Sequence, residues 1–281
     1  MIVAERLQTI SELLRAEHVV STEKLSKLLD VSTMSIRRDL ARLEKMGVCR
    51  RTHGGAISEV GTFVQDVPYS TREQRYVAEK RAIAYIAASL VNEGDTIALD
   101  GGTTTGHMAV ALKDRRNITI ITNALRVLNL LSDSRDLTVV STGGTLSRSI
   151  YEKPGYGDPC LVGPLAEATM SRFRPIKAFM ATTGFTISDG LSNELMDQAT
   201  MKQAMIESSS DVILLADNSK FGHVASSIIG PATLIDQLIT DTGISEDLKR
   251  AIEKLGIEVM VVDPMDEAHL VTNVDKSILD G

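Results

Sequence analysis

The sequence contains few cysteines and no long apolar run, and each absence excludes a class of protein. The two cysteines, Cys49 and Cys160, lie far apart and have no metal-ligand spacing, so we expect neither a disulfide scaffold nor a zinc site. No apolar stretch approaches membrane-spanning length, and Glu5, Arg6 and Glu12 make the N-terminal segment unlike a signal peptide. We therefore predict a cytoplasmic protein with no membrane partner.

A net basic charge is also absent. The 281 residues carry a formal net charge of −7, which argues against a nucleic-acid coat over the whole chain. Residues 1–57 hold ten Lys and Arg against seven Asp and Glu, whereas residues 58–281 hold twenty against thirty. The length suggests two domains, and only the first has the charge balance of a nucleic-acid-binding module.

The first 46 residues show the pattern of three helices. Apolar residues recur at helical spacing in Val3–Ala16, in Thr22–Leu29 and in a third segment through Ile36, Leu40, Leu43 and Met46. Ser21 and Ser32 are expected to cap the second and third helices. Only Asp30, Val31 and Ser32 separate these two helices, which is the short turn of a helix-turn-helix.

The third helix and the segment after it carry most of the cations. Val48–His53 reads as a strand, Gly54-Gly55 as a two-residue turn and Ala56-Ile57 as the return strand, so a winged helix-turn-helix is predicted. Its third helix can enter the major groove of DNA, and its hairpin can lie along the phosphates. The alternative is that these charged residues form a solvated helix face followed by an ordinary turn. The residues predicted to contact double-stranded DNA are Ser32, Met34, Ser35, Arg37, Arg38, Arg42, Arg50, Arg51 and His53.

From about residue 75 onward, helices alternate with short apolar strands. This alternation predicts an α/β domain with a largely parallel sheet covered on both faces. The segment before it, from Ser58 to about Glu73, has no clear periodicity. We therefore expect a winged helix-turn-helix domain over residues 1–58, a linker over 59–74 and a larger α/β domain over 75–281.

Polar and glycine-rich residues follow several of the predicted strands, at the sheet edge where α/β proteins bind ligands. The loop from Asp100 to Thr105 offers glycine N–H groups, three hydroxyls and a helix N-terminus to an anion. It lacks the lysine of a phosphate loop and the spacing of a dinucleotide fingerprint, so no cofactor is indicated. A capped strand-to-helix turn without a ligand is the alternative. The residues predicted to bind an effector are Asp100, Gly101, Gly102, Thr103, Thr104, Thr105, Asn123, Gly143, Gly144, Gly184, Lys202 and Lys220.

The two lysines in this set are predicted on different grounds. Lys202 lies in a helical segment, where a solvated surface lysine is as good an interpretation as a binding role. Lys220 directly follows a strongly apolar strand, where its charge would complement a phosphate or pair with Asp217 or Asp100.

The stretch VSTMSIRRDLARLEKMGVCRRTHGGA resembles the N-terminal pattern of DeoR-type bacterial repressors, with Ser35 where the family usually has threonine. The segments LDGGTTT, STGGTLS and LLADNSKFG extend the resemblance over most of the chain. It implies an effector domain with the fold of ribose-5-phosphate isomerase, a phosphorylated sugar that releases a sugar-catabolism repressor from its operator, and a homodimer or homotetramer. Two departures, Pro175–Lys177 and Tyr151–Cys160, are expected at the sugar end of the site.

A sugar-phosphate isomerase with a DNA-binding appendage is the alternative from another class. Isomerisation by general acid–base catalysis requires a carboxylate beside the substrate carbon. Asp100, Asp189, Glu194 and Asp197 are candidates for that role, although the family resemblance implies no enzyme and no catalytic residue. A turnover assay on pentose and hexose phosphates distinguishes the two functions.

Overall fold

The computed structural model describes residues 3–17, 19–45, 48–52, 54–58, 69–147 and 158–264. The chain divides into two compact units, and the larger, C-terminal one begins at residue 65. Within the described ranges, no helix combines the length and the apolar character needed to cross a membrane.

The N-terminal unit is a winged helix-turn-helix. Its elements are α1 (Val3–Glu17), β1 (Val19–Ser21), α2 (Thr22–Leu29), α3 (Thr33–Lys45), β2 (Cys49–Thr52) and β3 (Gly55–Ser58). The predicted caps are confirmed, because Ser21 Oγ accepts a hydrogen bond from Lys24 N at 3.0 Å and Ser32 Oγ accepts one from Ser35 N at 3.3 Å. Asp30 ends α2 in the left-handed conformation, with φ of 50°.

The core of this unit forms where the three helices meet. Ile10, Leu14, Leu25, Ile36 and Leu40 are at most 1% exposed. These side chains stand at the helical spacing that the sequence shows, so the apolar stripe of each helix is buried against the other two.

The hairpin formed by β2 and β3, here called the wing, differs from the prediction in its register. Thr52 pairs with Gly55, so Gly55 belongs to the return strand and not to the predicted Gly54-Gly55 turn. Gly55 lies inside β3, where it pairs with Thr52 on one side and with Ser21 of β1 on the other. Strand β1 was not predicted from the sequence. A Cβ at Gly55 would lie 1.9 Å from the Val20 carbonyl oxygen, so this strand contact requires glycine.

The C-terminal unit contains 19 further helices and strands among its described residues. They are α4 (Tyr69–Gln74), α5 (Val77–Ser89), β4 (Thr96–Leu99), α6 (Thr103–Leu112), β5 (Ile118–Thr122), α7 (Leu125–Leu131), β6 (Leu137–Ser141), β7 (Thr145–Ser147), β8 (Cys160–Val162), α8 (Pro164–Met170), β9 (Lys177–Met180), β10 (Gly184–Thr186), β11 (Gly190–Asn193), α9 (Met196–Ser208), β12 (Asp211–Leu215), β13 (Ser227–Gly230), β14 (Gln237–Asp241), α10 (Glu246–Glu253) and β15 (Glu258–Val262). Short 3-10 turns occupy Asn218–Lys220 and Ala232–Leu234.

The predicted linker, residues 59–74, is described only in part. Residues 59–68 lie outside the described residues, and Tyr69–Gln74 form helix α4. The prediction of an irregular segment is therefore wrong for residues 69–74. The helix has fewer than two turns, so its hydrophobic pattern is too short to be recognised in the sequence.

Seven parallel strands form the main sheet, in the order β15-β14-β12-β9-β4-β5-β6. Consecutive residues such as Ile97, Ala98 and Leu99 are fully buried, which is the pattern of a strand covered on both faces. The α/β prediction is confirmed. An antiparallel sheet, β10-β11-β13, and the pair β7-β8 were not predicted.

The order of the strands identifies where a ligand would bind. From β4 the chain moves outward through β5 to β6, and it then returns to place β9 on the other side of β4. The carboxyl ends of β4 and β9 thus flank the topological switch point, where open α/β sheets form their binding crevice.

Candidate functional site

The exposed face of α3 carries the predicted DNA-contacting residues. Ile36, Leu40 and Leu43 are buried, and this orients the opposite face of the helix toward solvent. On that face Met34 is 58% exposed, and Arg37 and Arg38 are exposed as well. Ser32, Arg42 and Arg50 are also exposed, whereas Ser35 is half-buried. Arg51 is exposed as well, but it contacts another side chain of the protein. His53 lies outside the described residues.

Arg51 is bound to the protein itself. Its Nε donates to Glu44 Oε2 at 2.7 Å, and its backbone N–H donates to Glu44 Oε1 at 2.9 Å. These two bonds, the backbone one foremost, lower the pKa of Glu44. Arg51 therefore ties the wing to α3, and its charge is partly neutralised before any DNA contact.

A buried ion pair that the sequence analysis missed supports α3 from behind. Arg6 Nε donates to Asp39 Oδ2 at 2.6 Å, and the Asp39 side chain is 2% exposed. Asp39 interrupts the run of cations on α3, and its ion pair with Arg6 compensates the charge of this buried acidic side chain. The bond joins α1 to α3.

A cleft opens at the switch point of the main sheet, and we call it the switch-point cleft. Residues that line it include Arg72, Asp100, Gly101, Gly102, Thr103, Thr104, Asn123, Asp158, Cys160, Thr182, Asn193, Glu194, Gln198, Lys202 and Lys220. Eight of the predicted effector residues are therefore brought together: Asp100, Gly101, Gly102, Thr103, Thr104, Asn123, Lys202 and Lys220.

The N-terminus of α6 presents donors to this cleft. Gly101 N–H donates to Asp100 Oδ1 at 2.8 Å, so that amide is already used within the loop. The N–H groups of Thr103 and Thr104 belong to the first helical turn, where no preceding carbonyl is available to accept them. Together with the two threonine hydroxyls and the positive end of the helix dipole, they suit an anion.

Asp100 and Lys202 join the ends of β4 and β9. Lys202 Nζ donates to Asp100 Oδ2 and, at 3.0 Å, to the Ala181 carbonyl oxygen. Asp100 Oδ2 also accepts from Ala181 N at 3.0 Å. Lys202 is 5% exposed, so it is not the solvated surface lysine that the sequence left open. Its charge is compensated by Asp100, and its main effect is to hold the floor of the cleft together.

The ammonium group of Lys220 is available to an anionic ligand. It stands in the 3-10 turn after β12, lines the switch-point cleft and is half-buried. Among the described residues its ammonium group has no hydrogen bond or ion pair, so the pairing with Asp217 or Asp100 that the sequence suggested is not present. Lys220 is thus a cation that an anionic ligand can engage.

Arg72 reaches the cleft because α4 is firmly held. The Tyr69 hydroxyl donates to the Gly102 carbonyl oxygen at 3.4 Å, and the Arg126 guanidinium lies 4.9 Å from the centre of the Tyr69 ring. Lys80 Nζ donates to the carbonyl oxygens of Arg72 and Arg75, which belong to the end of α4 and the turn after it. Burial lowers the pKa of Lys80 to about 8. Arg72 was not among the predicted site residues, because it lies in the segment that was expected to be a linker.

Asp158 is the second residue of the cleft that was missed. It is 7% exposed, and neither carboxylate oxygen has a hydrogen-bond partner among the described residues. Burial raises the pKa of Asp158 to about 6, and the charge of Asp100 adds to the rise, while Arg72 and Lys202 oppose it. The sequence contained one signal, since Asp158 falls in the stretch Tyr151–Cys160 that was expected at the sugar end.

Four of the predicted effector residues do not line the cleft. Thr105 is fully buried, and its hydroxyl donates to the Gly102 carbonyl oxygen at 3.1 Å, so it stabilises the first turn of α6. Gly143 and Gly144 form the turn after β6, with φ of 65° and 113°. Gly184 lies in β10, where its carbonyl oxygen accepts from the Thr182 hydroxyl at 2.8 Å. These four residues have local structural roles.

Lys177 and two of the carboxylates considered for isomerase chemistry also lie elsewhere. Lys177 begins β9, at the opposite end from the cleft, and its Nζ is 3.7 Å from Asp95 Oδ2, so its expected place at the sugar end is wrong. Asp189 accepts from the Ser188 and Thr186 hydroxyls in an exposed turn. Asp197 accepts from the Ser147 hydroxyl at 2.9 Å. Only Asp100 and Glu194 of the four candidates line the cleft, and Asp100 is engaged by Lys202.

Comparisons with known proteins match both units. The family described as DeoR-like helix-turn-helix domain matches residues 6–60, and the DeoR C terminal sensor domain matches residues 75–242. The uncharacterized HTH-type transcriptional regulator YulB of Bacillus subtilis is 37% identical and covers 93% of this chain and 98% of its own length. The transcriptional repressor AccR of Agrobacterium fabrum is 34% identical and covers 92% of this chain and 97% of its own.

One solved structure overlaps with about half of the chain. Ribose 5-phosphate isomerase from Methanocaldococcus jannaschii has a TM-score of 0.37 and 16% identity, and the match covers 50% of this chain and 53% of that chain. A likeness of this extent assigns no chemistry. The full-length relatives above are named as regulators of transcription, not as enzymes.

Proposed function

The chain belongs to the DeoR family of DNA-binding transcriptional regulators, and we propose that it represses a sugar-catabolism operon and is released from its operator by a phosphorylated sugar. The observation that carries the proposal is the set of donors in the switch-point cleft. The first turn of α6, the hydroxyls of Thr103 and Thr104 and the ammonium group of Lys220 all line this cleft, and each of them can bind a phosphate oxygen.

The exposed cations of α3 and the wing support the DNA-binding half of the proposal. Arg37 and Arg38 stand in the first two turns of α3, where side chains of a recognition helix reach base edges. Arg42 and Arg50 extend the positive surface toward the phosphates. An operator with two half-sites requires two copies of this helix, and we therefore expect a homodimer or homotetramer.

Release requires that the effector bind the DNA-free arrangement of the protein more tightly than the DNA-bound one. A ligand with equal affinity for both would shift nothing, however tightly it bound. The phosphate is the part of the effector that the helix N-terminus and Lys220 recognise. The unphosphorylated sugar is expected to lack most of the binding free energy, because charge-assisted hydrogen bonds are the strong ones.

A thermal-unfolding panel tests the effector class. The full chain is heated in the presence of sugar phosphates and of the same sugars without phosphate. A ligand at about one hundred times its Kd stabilises the unit that binds it by roughly 2.7 kcal/mol. For a unit of this size the melting temperature rises by roughly 5–10 °C. We expect the rise with at least one sugar phosphate and almost none with its parent, and an equal response to both would contradict the proposal.

A further inference from the structure

Two buried side chains of the switch-point cleft carry acceptor atoms for which the described part of the chain supplies no donor. Both Asp158 oxygens and Asn123 Oδ1 lack a hydrogen-bond partner among the described residues. The side chains are 7% and 2% exposed, and both line the cleft. Buried acceptors without partners are rare in folded proteins, because desolvation without a compensating hydrogen bond is costly. Such groups in a cleft indicate that the ligand supplies the donors.

The orientation of Asn123 is fixed by its other contacts. Asn123 Nδ2 donates to the Leu161 carbonyl oxygen at 3.2 Å, and Leu161 N donates to the Asn123 carbonyl oxygen at 2.7 Å. The amide therefore cannot be reversed without loss of a hydrogen bond, and Oδ1 remains the unpaired atom. Asn123 Oδ1 can therefore accept a hydrogen bond from a hydroxyl group of a ligand.

Asp158 lies next to the anion-binding loop. A Cβ on Gly101 would be 3.2 Å from Asp158 Oδ2, so the carboxyl group stands beside the start of the loop that leads into α6. A phosphate bound at Thr103 and Thr104 would not contact a carboxylate directly, since the like charges repel. The carbon chain attached to that phosphate is the part of the ligand that would pass Asp158.

The charges around Asp158 determine which donors suit it. Arg72 and Lys202 already act on its carboxyl group as positive charges, whereas Asp100 acts as a negative charge. An additional ammonium group on the ligand would be repelled by Arg72 and Lys202. Hydroxyl groups donate hydrogen bonds without adding charge, so they match an acceptor in this setting.

We propose that Asp158 and Asn123 form a hydroxyl-recognition subsite that selects a polyhydroxylated phosphate over an alkyl phosphate. The inference rests on the proposed function and deepens it, because it assigns the phosphate to α6 and Lys220 and the hydroxyls to Asp158 and Asn123. Discrimination at such a site is strong, since a ligand without the hydroxyls leaves both acceptors buried and unpaired.

Calorimetric titration of the full chain tests the subsite with ligands matched in length. The ligands are pentose 5-phosphates, hexose 6-phosphates and the corresponding alditol phosphates, each beside pentyl or hexyl phosphate. The wild type should bind at least one polyhydroxylated phosphate 100-fold or more tightly than the alkyl phosphate of equal length. Asp158→Leu and Asn123→Ala should each reduce that ratio by tenfold or more and change the affinity for alkyl phosphate less than threefold.

A second measurement separates recognition from a structural role and needs no ligand. Asp158→Asn replaces a buried, unpaired carboxylate with a neutral amide of the same shape, so it should raise the melting temperature of the C-terminal unit at pH 7. Asp133→Asn, which removes an exposed carboxylate after α7, is the matched control and should leave the melting temperature unchanged. A residue that held the fold together would give the opposite result for Asp158→Asn.

The outcomes distinguish the two proposals. If no phosphate compound binds, the proposed function fails and the subsite fails with it. If phosphates bind but the alkyl phosphates equal every polyhydroxylated one, only the hydroxyl subsite is refuted. A binding ratio that persists in Asp158→Leu and Asn123→Ala, or a lower melting temperature for Asp158→Asn, also refutes it.

Discussion

Substitution of Lys202 by methionine should destabilise the C-terminal unit more than the same substitution at an exposed lysine does. Lys202 and Asp100 form an ion pair whose side chains are 6% and 2% exposed. Loss of one partner leaves a buried charge uncompensated, which typically costs 3–5 kcal/mol. Asp100 would keep its hydrogen bonds from Gly101 N and Ala181 N, at 2.8 and 3.0 Å, so we expect the lower end, about 3 kcal/mol.

The size of the unit converts this free energy into a temperature. For about 200 residues, 1 kcal/mol lowers the melting temperature by roughly 2–4 °C, so Lys202→Met should lower it by roughly 6–12 °C. Lys249→Met is the matched control. Lys249 Nζ is 3.8 Å from Glu253 Oε1 in a partly exposed pair on α10, and such pairs contribute roughly 0–1 kcal/mol.

Differential scanning calorimetry is the appropriate assay, because the chain has no tryptophan for fluorescence. Asp100→Asn and the double variant complete a double-mutant cycle, in which the two losses should be less than additive by about 1–3 kcal/mol. Additive losses, or a Lys202→Met variant as stable as Lys249→Met, would show that the buried pair does not join β4 to β9.

Three further predictions concern DNA, effector and pH. Arg37→Ala and Arg38→Ala should each weaken operator binding by about 1–3 kcal/mol if they contact bases, and Arg50→Ala should weaken it more than Arg51→Ala, measured by fluorescence anisotropy. Thr104→Ala and Lys220→Ala should abolish release by effector yet retain operator affinity. Because the folded-state pKa of Asp158 is about 6, above its ordinary 3.8, its protonation stabilises the fold below about pH 4, and this contribution disappears as the pH rises through 6. The stability of Asp158→Asn relative to wild type should therefore increase by about 2 kcal/mol between pH 4 and pH 7.

Each of these predictions has a contradicting outcome. Wild-type operator affinity in the double variant of Arg37 and Arg38 would mean that α3 does not contact DNA. If Thr104→Ala or Lys220→Ala is released from the operator at the effector concentration that releases the wild type, the effector does not bind at the N-terminus of α6. A stability difference for Asp158→Asn that is constant from pH 4 to pH 7 would mean that Asp158 is not a buried, unpaired acid.

Periodicity and capping predicted the helices of the N-terminal unit well. Thr22–Leu29 has the predicted bounds because Ser21 caps its start and Asp30 ends it, so both limits are encoded locally. The three-residue strand β1 could not be recognised in this way, because its pairing with β3 depends on residues more than 30 positions away. The wing register was wrong for the same reason, since β1 and not the turn explains Gly55.

The sheet edge that holds the cleft was predictable, but its lining was not. Carboxyl ends of parallel strands share one edge, so Asp100 and Lys220 were expected near each other. The order of the strands decides which loops reach the switch point. Gly143 and Gly144 follow β6, the edge strand two positions from β4, and therefore lie outside the cleft. Arg72 and Asp158 come from segments without periodicity, and only the tertiary fold brings them to β4.

The central claim is tested most directly by operator release in the intact protein. An operator is selected from a library of random duplexes, and its complex with the full chain is followed by fluorescence anisotropy while the sugar phosphate from the thermal panel is added. We expect the phosphorylated sugar to dissociate the wild-type complex and the parent sugar to leave it intact, with the Lys220→Ala complex resistant to both. Dissociation by the parent sugar, or a complex that no sugar phosphate dissociates, would contradict the account.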